Sequence, residues 1–435
     1  MIVGKSKPIF DYLNGLRSSK FFKVFVWDIL SKGADFALLP IYLKILSQEE
    51  YGFYTYTLYI ITTISGIIKL GLDTSGSKMY YEQEIYDRGQ MLFSTNIIWV
   101  LLFGILLFIC VLTGIDIKFF TDLMNISVSD YNQIKWFFFA FILFNLVQTT
   151  LNVFFVIDNN AIIYQKYNLI RTLGGNLVVI GLLMFVVKGN KAYLRIYLEP
   201  ILFFLSFIPL IIVFIKRMTF KIDWNAIKHA FSIGLPMVGT LIVAIVYNIS
   251  DKYYLQKTSG FETLAVYNLA IFLTLPVSLI FGSFQTVWFP KFSQEKSHII
   301  RFRKSNYFSI MLLLSFILLL ITILVVIYIF IYFGIIDKTY EKIFVIFPIV
   351  FVARIAENIT QIYNNFIVVW GKTIFNLIIS IVFAIIAFWM NYMFIPKGGI
   401  LIASGILFFI ASSRCIVYFI YVKKNIRINH SNSLF

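Results

Sequence analysis

Charge is scarce in this chain. Only 13% of its 435 residues are Asp, Glu, Lys or Arg, 60% are hydrophobic, and the mean hydropathy is +0.86, a balance that excludes a water-soluble globular domain. Cysteine and histidine are sparse too: Cys110 and Cys415 lie in apolar runs, while His229, His298 and His430 are scattered at the edge of them or outside. Neither a disulfide framework nor a metal site can be assembled from so few groups, and neither metal nor cofactor is expected. No Gly-rich phosphate loop of the G-x-x-x-x-G-K-[ST] kind occurs. Short alternating segments are missing, which excludes a strand barrel. Long polar connections are missing too, and the longest on its side, 114–132, has no clustered acid/base set and no room for a soluble catalytic domain.

What remains is apolar runs bounded by charged or turn-forming clusters. Twelve such runs fall roughly at 22–44, 51–71, 92–113, 133–157, 167–187, 192–215, 229–250, 263–289, 307–335, 343–370, 373–395 and 399–422, each near the ~20 residues a helix needs to cross hydrocarbon. Only helices satisfy their own backbone there, so an all-α polytopic membrane protein is expected. The first twenty residues carry Lys5, Lys7, Arg17 and Lys20 without a short apolar region and small-residue cleavage site, so the first helix is expected to stay. An even number of spans places both termini on one side. Lys and Arg crowd the connections of that side, among them Lys166, Arg171, Lys216, Arg217, Lys221 and Arg303. The opposite side has fewer, including Lys44, Lys118, Lys252 and Lys257. Positive charge collects in the cytoplasm, so both termini are expected there, in a bacterial plasma membrane. The net charge of +16 then reflects this bias and attraction to anionic lipid, not binding to nucleic acid.

The connection 216–228, "KRMTFKIDWNAIK", leaves six runs on each side and divides the chain into an expected 1–218 lobe and a 219–435 lobe. A short repeat accompanies the division. "LSQEEYGFYTY" (46–56) follows the first run and "TSGFETLAVYNL" (258–269) the seventh, pairing Ser47 with Ser259, Glu50 with Glu262 and, after one gap, Tyr54 with Tyr267. Two like halves around a midplane cavity suit a transporter. The same residues carry a resemblance. "LSQEEYGFYTY" and "KLGLDTSGSKMYYE" (69–82), then "FSIGLPM" (231–237), "ISDKYYLQKTSGFETLAVYNLA" (249–270), "TVWFPKF" (286–292) and "FIPKGGILIASG" (394–405), resemble in order the oligosaccharide flippase, or polysaccharide transporter, family. One departure is local: Ile402, Ala403 and Ser404 stand where Gly-Ala-Ala is usual. The resemblance covers nearly the whole chain. It implies a two-lobed transporter, with no enzymatic step, that moves an undecaprenyl-pyrophosphate-linked oligosaccharide to the outer leaflet for O-antigen, capsule or similar polysaccharide by alternating access. Its implied partners are that substrate, membrane lipids, a coupling ion (H+ or Na+), a polysaccharide polymerase and a chain-length regulator. A multidrug or cation antiporter of the related exporter type, or a membrane polysaccharide polymerase, are the competing readings.

Such a substrate needs a polar lane, and ionisable groups inside the runs are candidates to line it. Asp28, Lys32 and Asp35 in "VFVWDILSKGADFALLPIYL" (24–43) are spaced i, i+4, i+7 on one helix face. In "ARIAENITQIYNNFIVVW" (353–370), Arg354, Glu357, Asn358, Gln361, Asn364 and Asn365 form one continuous stripe, and amides that donate and accept suit sugar hydroxyls. Both sets have a bland alternative, mutual bridging in the first and interhelical hydrogen bonding in the second. Arg195 and Glu199, and Lys69 and Asp73, are i, i+4 and read first as structural pairs. Arg414 has no acid within a turn and either snorkels or meets a phosphate. The intramembrane charges sum to zero, so a cationic cavity does not follow from them. Pro236, Pro276 and Pro348 are positions where spans can bend.

Overall fold

The computed structural model describes residues 20–71, 75–76, 79–80, 87–158, 160–185, 189–295 and 297–432. Nearly all of these are helical: α1 (Lys20–Ile45), α2 (Gln48–Ile68), α3 (Arg88–Thr113), α4 (Ile115–Met124), α5 (Val128–Ile157), α6 (Ala161–Phe185), α7 (Lys191–Lys216), α8 (224–259), α9 (261–272), α10 (Leu275–Gln294), α11 (His298–Tyr332), α12 (Ile343–Val369), α13 (373–398) and α14 (400–432). Gly260 (φ 76°, ψ 178°) and Gly399 (φ 56°, ψ −139°) end two rods in backbone conformations that only glycine adopts cheaply. The break at 273–274 kinks one further rod, with Pro276 in the first turn of the segment that follows, where its missing N–H costs nothing. Counting α9 and α10 as one kinked crossing and α4 as the short helix of the 114–132 connection, twelve crossings match the twelve apolar runs. Eight helical stretches among the described residues are long and apolar enough to cross a membrane on length and composition alone.

By contacts the chain forms two compact units. One comprises 1–42, 64–116 and 132–235, the other 43–63, 117–131 and 236–435. The core of the first is aromatic: Phe144 lies 5.7 Å from Phe203 and 5.9 Å from Phe207, and Phe154 lies 4.8 Å from Phe214. The second is centred on Trp288, Phe292, Tyr363, Phe366, Tyr418 and Val422, with Phe292 and Phe366 edge to face at 4.7 Å. Outward faces are apolar as well. Leu101, Ile105, Phe108 and Leu112 on α3, and Ile310, Leu314, Leu318, Ile321 and Val325 on α11, are exposed at helical spacing, a surface that suits lipid and not water.

Local signals set the ends of these helices. Ser47 Oγ accepts from the Glu50 N–H at 3.1 Å and the Glu50 carboxylate accepts from the Ser47 N–H at 2.9 Å, a reciprocal cap that starts α2 within the first repeat element. Outside the spans, the hydrogen bond from Lys304 to Glu295, at 2.9 Å, holds the Glu295 carboxyl below its ordinary range and ties Glu295 to α11. In the first unit, the turn after α2 meets the start of α8 backbone to backbone. A Cβ on Gly71 would sit 2.6 Å from the Gly234 carbonyl oxygen, and Gly71 has φ +71°. Gly71→Ala therefore combines left-handed strain of about 1–2 kcal/mol with a backbone overlap. We expect severalfold lower membrane abundance and a lower unfolding temperature in detergent, whereas Gly66→Ala, with nothing within 4 Å, should leave both unchanged.

Candidate functional site

The first unit holds a polar cluster built on α1, α5, α6 and α7. Helix α6 carries a π-turn at Arg171–Gly175, a wide turn of the sort found at functional sites. Around it Arg171 donates from Nη1 to Gln148 Oε1 at 3.3 Å and from Nη2 to Thr172 Oγ1 at 3.4 Å, with its guanidinium 4.6 Å from the Phe203 ring centre. Ser31 Oγ accepts from Asn168 Nδ2 at 2.7 Å and lies 3.5 Å from Thr172 Oγ1. One helical turn further along α1, the Asp35 carboxylate accepts from Asn176 Nδ2 at 3.4 Å, and Asn176 Oδ1 accepts from the Tyr42 hydroxyl at 2.8 Å. Arg195 spans 3.6 Å to the Tyr42 ring centre and donates from Nε to Glu199 at 2.6 Å, both residues being buried. Three buried atoms here, Gln165 Oε1, Asn168 Oδ1 and Arg171 Nε, have no protein partner. Such orphans each cost about 1–3 kcal/mol, which makes the cluster a candidate site, since a water or another hydrogen-bonding group can satisfy them.

Asp35 and Arg195 thus enter one network, though sequence spacing had placed them in separate groups. Lys32, on the same helix, is exposed, and the side chains of Asp28 and Asp73 lie outside the described residues. Arg171 corrects its sequence placement. It sits inside α6 and is half-buried, not in a cytoplasmic connection, because the helix begins at Ala161, a turn and a half before the apolar run. Gln148, Asn168, Asn176 and Tyr42 were not singled out from sequence. An amide or hydroxyl among apolar residues was their one available signal.

The second unit contains the α12 stripe. Arg354 donates to Glu357 at 2.5 Å and to the Thr274 hydroxyl at 3.4 Å, at the break between α9 and α10. Asn365 Nδ2 donates to Gln285 Oε1 at 3.1 Å on α10. Asn358 and Asn365 are buried, Asn364 is half-buried, and Gln361 at the middle of the stripe is exposed. Val352, nine residues before Gln361 and so about half a turn round the helix, is exposed as well. The helix is therefore open on two faces, Val352 on one and Gln361 with Val368 on the other. Asn358 Nδ2, Asn364 Oδ1 and Gln285 Nε2 are buried without protein partners. Arg414 stands apart from the stripe. It donates to Ser380 Oγ at 3.1 Å and lies 5.7 Å from the Tyr418 ring centre, with its Nε buried and without a protein partner.

This chain aligns along nearly its whole length with solved transporters. An inward-facing multidrug resistance MATE family transporter of the MOP superfamily matches with TM-score 0.66 at 14% identity, covering 93% of this chain and 96% of that one. An outward-facing structure of a MATE family transporter matches with TM-score 0.62 at 13% identity over 95% and 97%. A MOP superfamily transporter from Pyrococcus furiosus, described as having a reversed binding-pocket polarity that suggests a different function, matches with TM-score 0.63 at 12% identity over 95% and 97%. None of the curated proteins matches. The fold is the two-lobed fold of MOP superfamily MATE transporters, and its long apolar helices are those of a multi-pass membrane protein. It belongs to the family of polysaccharide biosynthesis proteins, which matches residues 19–296.

Proposed function

We propose that this transporter moves an undecaprenyl-pyrophosphate-linked oligosaccharide repeat unit from the cytoplasmic to the outer leaflet of a bacterial plasma membrane by alternating access, with both termini in the cytoplasm. The observation that carries the reading is membership of the polysaccharide biosynthesis family in a chain with an exporter fold. Physical features support it. A sugar chain brings many hydroxyls, and the open face of α12 offers an amide at Gln361 beside Asn364. A pyrophosphate brings negative charge, and the first-unit cluster offers Arg171 with an Nε that no protein atom uses. The six-helix lobes 1–218 and 219–435 would be the moving bodies, and a coupling ion, H+ or Na+, would set the direction.

The test is reconstitution in vesicles holding a short lipid-linked saccharide labelled on its sugar. Protein-dependent transfer, read as protection of the sugar from a reagent on the starting side, is expected to exceed that of protein-free vesicles at least tenfold. No transfer, together with uptake of a cationic dye under an ion gradient, would replace this reading with the antiporter.

A further inference from the structure

Where the 216–228 connection leaves α7, it folds back along the start of α3 within the first unit. The Ser94 hydroxyl donates to the Lys221 carbonyl at 3.4 Å and accepts from the Asp223 N–H at 2.7 Å, and Gln90 Nε2 donates to the Ile222 carbonyl at 3.4 Å. Gly89 lets the two backbones touch, since a Cβ there would lie 2.9 Å from the Thr219 nitrogen and 3.0 Å from the Arg217 carbonyl oxygen. The Phe93 and Phe220 rings meet edge to face at 5.2 Å. Beside this contact α3, α5 and α7 leave a groove of about 140 Å³, its wall formed chiefly by Asn96, Leu101, Val147, Leu151, Phe214 and Ile215. Leu101 also begins the exposed α3 stripe that runs on to Leu112, so the groove opens on the face that suits lipid. From Asn96 to Leu101 it follows α3 for about 7 Å, a short length of one acyl chain.

One end of the groove is cationic. Lys216 and Arg217 directly follow Ile215 of its wall, Lys221 is tied through Ser94 to the turn of α3 that carries Asn96, and all three are exposed. Acids offset little of this charge. Asp158 reaches Arg217 Nη2 only at 3.9 Å, and the Asp223 carboxylate is engaged by the Asn225 and Ala226 N–H groups. Between these cations and just beyond them, Phe220, Ile222 and Trp224 are exposed as well. Aromatic rings interleaved with long cations suit the headgroup level of a bilayer, where the rings sit in the interface and the cations meet anionic lipid. An apolar slot open to lipid, with positive charge at its headgroup end, has the chemistry of an anionic phospholipid, and it is too short to guide a polyprenyl chain. We infer that the groove binds an anionic phospholipid of the cytoplasmic leaflet, one acyl chain lying between α3, α5 and α7 and the phosphate held by Lys216, Arg217 and Lys221. The leaflet follows from the proposed orientation, and the site does not depend on which substrate is carried.

The test uses the full chain in phosphatidylcholine vesicles that contain a minor share of phosphatidylglycerol with a diazirine in its acyl chain. After illumination, adducts mapped by peptide mass spectrometry should concentrate on 96–101, 147–151 and 211–215. Unlabelled phosphatidylglycerol should compete for them at least tenfold better than the zwitterionic phosphatidylethanolamine of the same chains. Lys216→Gln, Arg217→Gln and Lys221→Gln together should cut the adducts at least tenfold. Arg303→Gln, Lys423→Gln and Lys424→Gln, equally exposed but in the second unit, should leave them within twofold, which separates a site from diffuse charge. Should the first triple variant fold poorly, Val147→Trp, which fills the groove and keeps every charge, should give the same loss. Adducts spread evenly over the exposed faces of α3 and α11, or equal competition by the two phospholipids, would overturn the site and leave only ordinary lipid contact. Stronger competition by undecaprenyl phosphate than by phosphatidylglycerol would overturn it in favour of the carrier lipid. No readout here uses export, so failure of the saccharide reading and failure of this site are distinguishable.

Discussion

Replacing Arg195 with alanine is expected to remove most of the protein from the membrane. Arg195 is 8% exposed and Glu199 2%, and one turn of α7 separates them. Their bond of 2.6 Å and the contact of Arg195 with Tyr42 join α7 to α1. Breaking a buried pair from one side leaves an uncompensated charge and costs about 3–5 kcal/mol, a large fraction of the 5–15 kcal/mol that holds a typical domain together. Removing both charges is a different perturbation: Arg195→Leu with Glu199→Leu fills similar space and leaves neither charge of the pair behind. The double variant should recover abundance to within about twofold, and export per molecule should follow, because the guanidinium is committed to Glu199 and to an aromatic face. Immunoblotting of membranes alongside saccharide export separates the outcomes. Recovered abundance without recovered export would make Arg195 a substrate group after all.

The crossings were legible in the sequence because hydrocarbon imposes one simple demand, a run of apolar residues long enough to span it, and α1 to α14 meet that demand at twelve places. Gly260 and Gly399 fall at or beside the ends of those runs, so even the rod ends could be read. Buried charge was harder. Arg171 and Lys252 lie near where apolar runs begin or stop, and a cation near such an end is ordinarily a solvated connection. Their burial depends on α6 starting early and α8 ending late, and on ring faces supplied by Phe203 and Tyr59 from other helices. Pairings between distant motifs were out of reach for the same reason. "KLGLD" and "FSIGLPM" meet through Gly71 and Gly234, while "EEYGFYTY" and "SGFETLAVYN" meet through Gly52 and Phe261. In each case the sequence shows a glycine, and only the fold shows the backbone that requires it.

On α12 the stripe divides into groups that hold the unit together and groups left open, and substitution should separate them. Asn365 is buried and bonded to Gln285. Asn365→Leu would leave the Gln285 acceptor without that donor, at about 1–3 kcal/mol, so abundance should fall with export per molecule unchanged. Gln361 is exposed and Asn364 half-buried, with one carbonyl oxygen that no protein atom satisfies. Gln361→Leu with Asn364→Leu should leave abundance near normal and lower export about tenfold. Two hydrogen bonds to sugar hydroxyls at roughly 0.5–1.5 kcal/mol each amount to about one such factor at ~1.4 kcal/mol per decade. Ser at both positions restores hydroxyl partners and should recover part of the export. Loss of abundance in the Leu pair, with full export by the Ser pair, would show that these amides join helices and that sugar is recognised elsewhere.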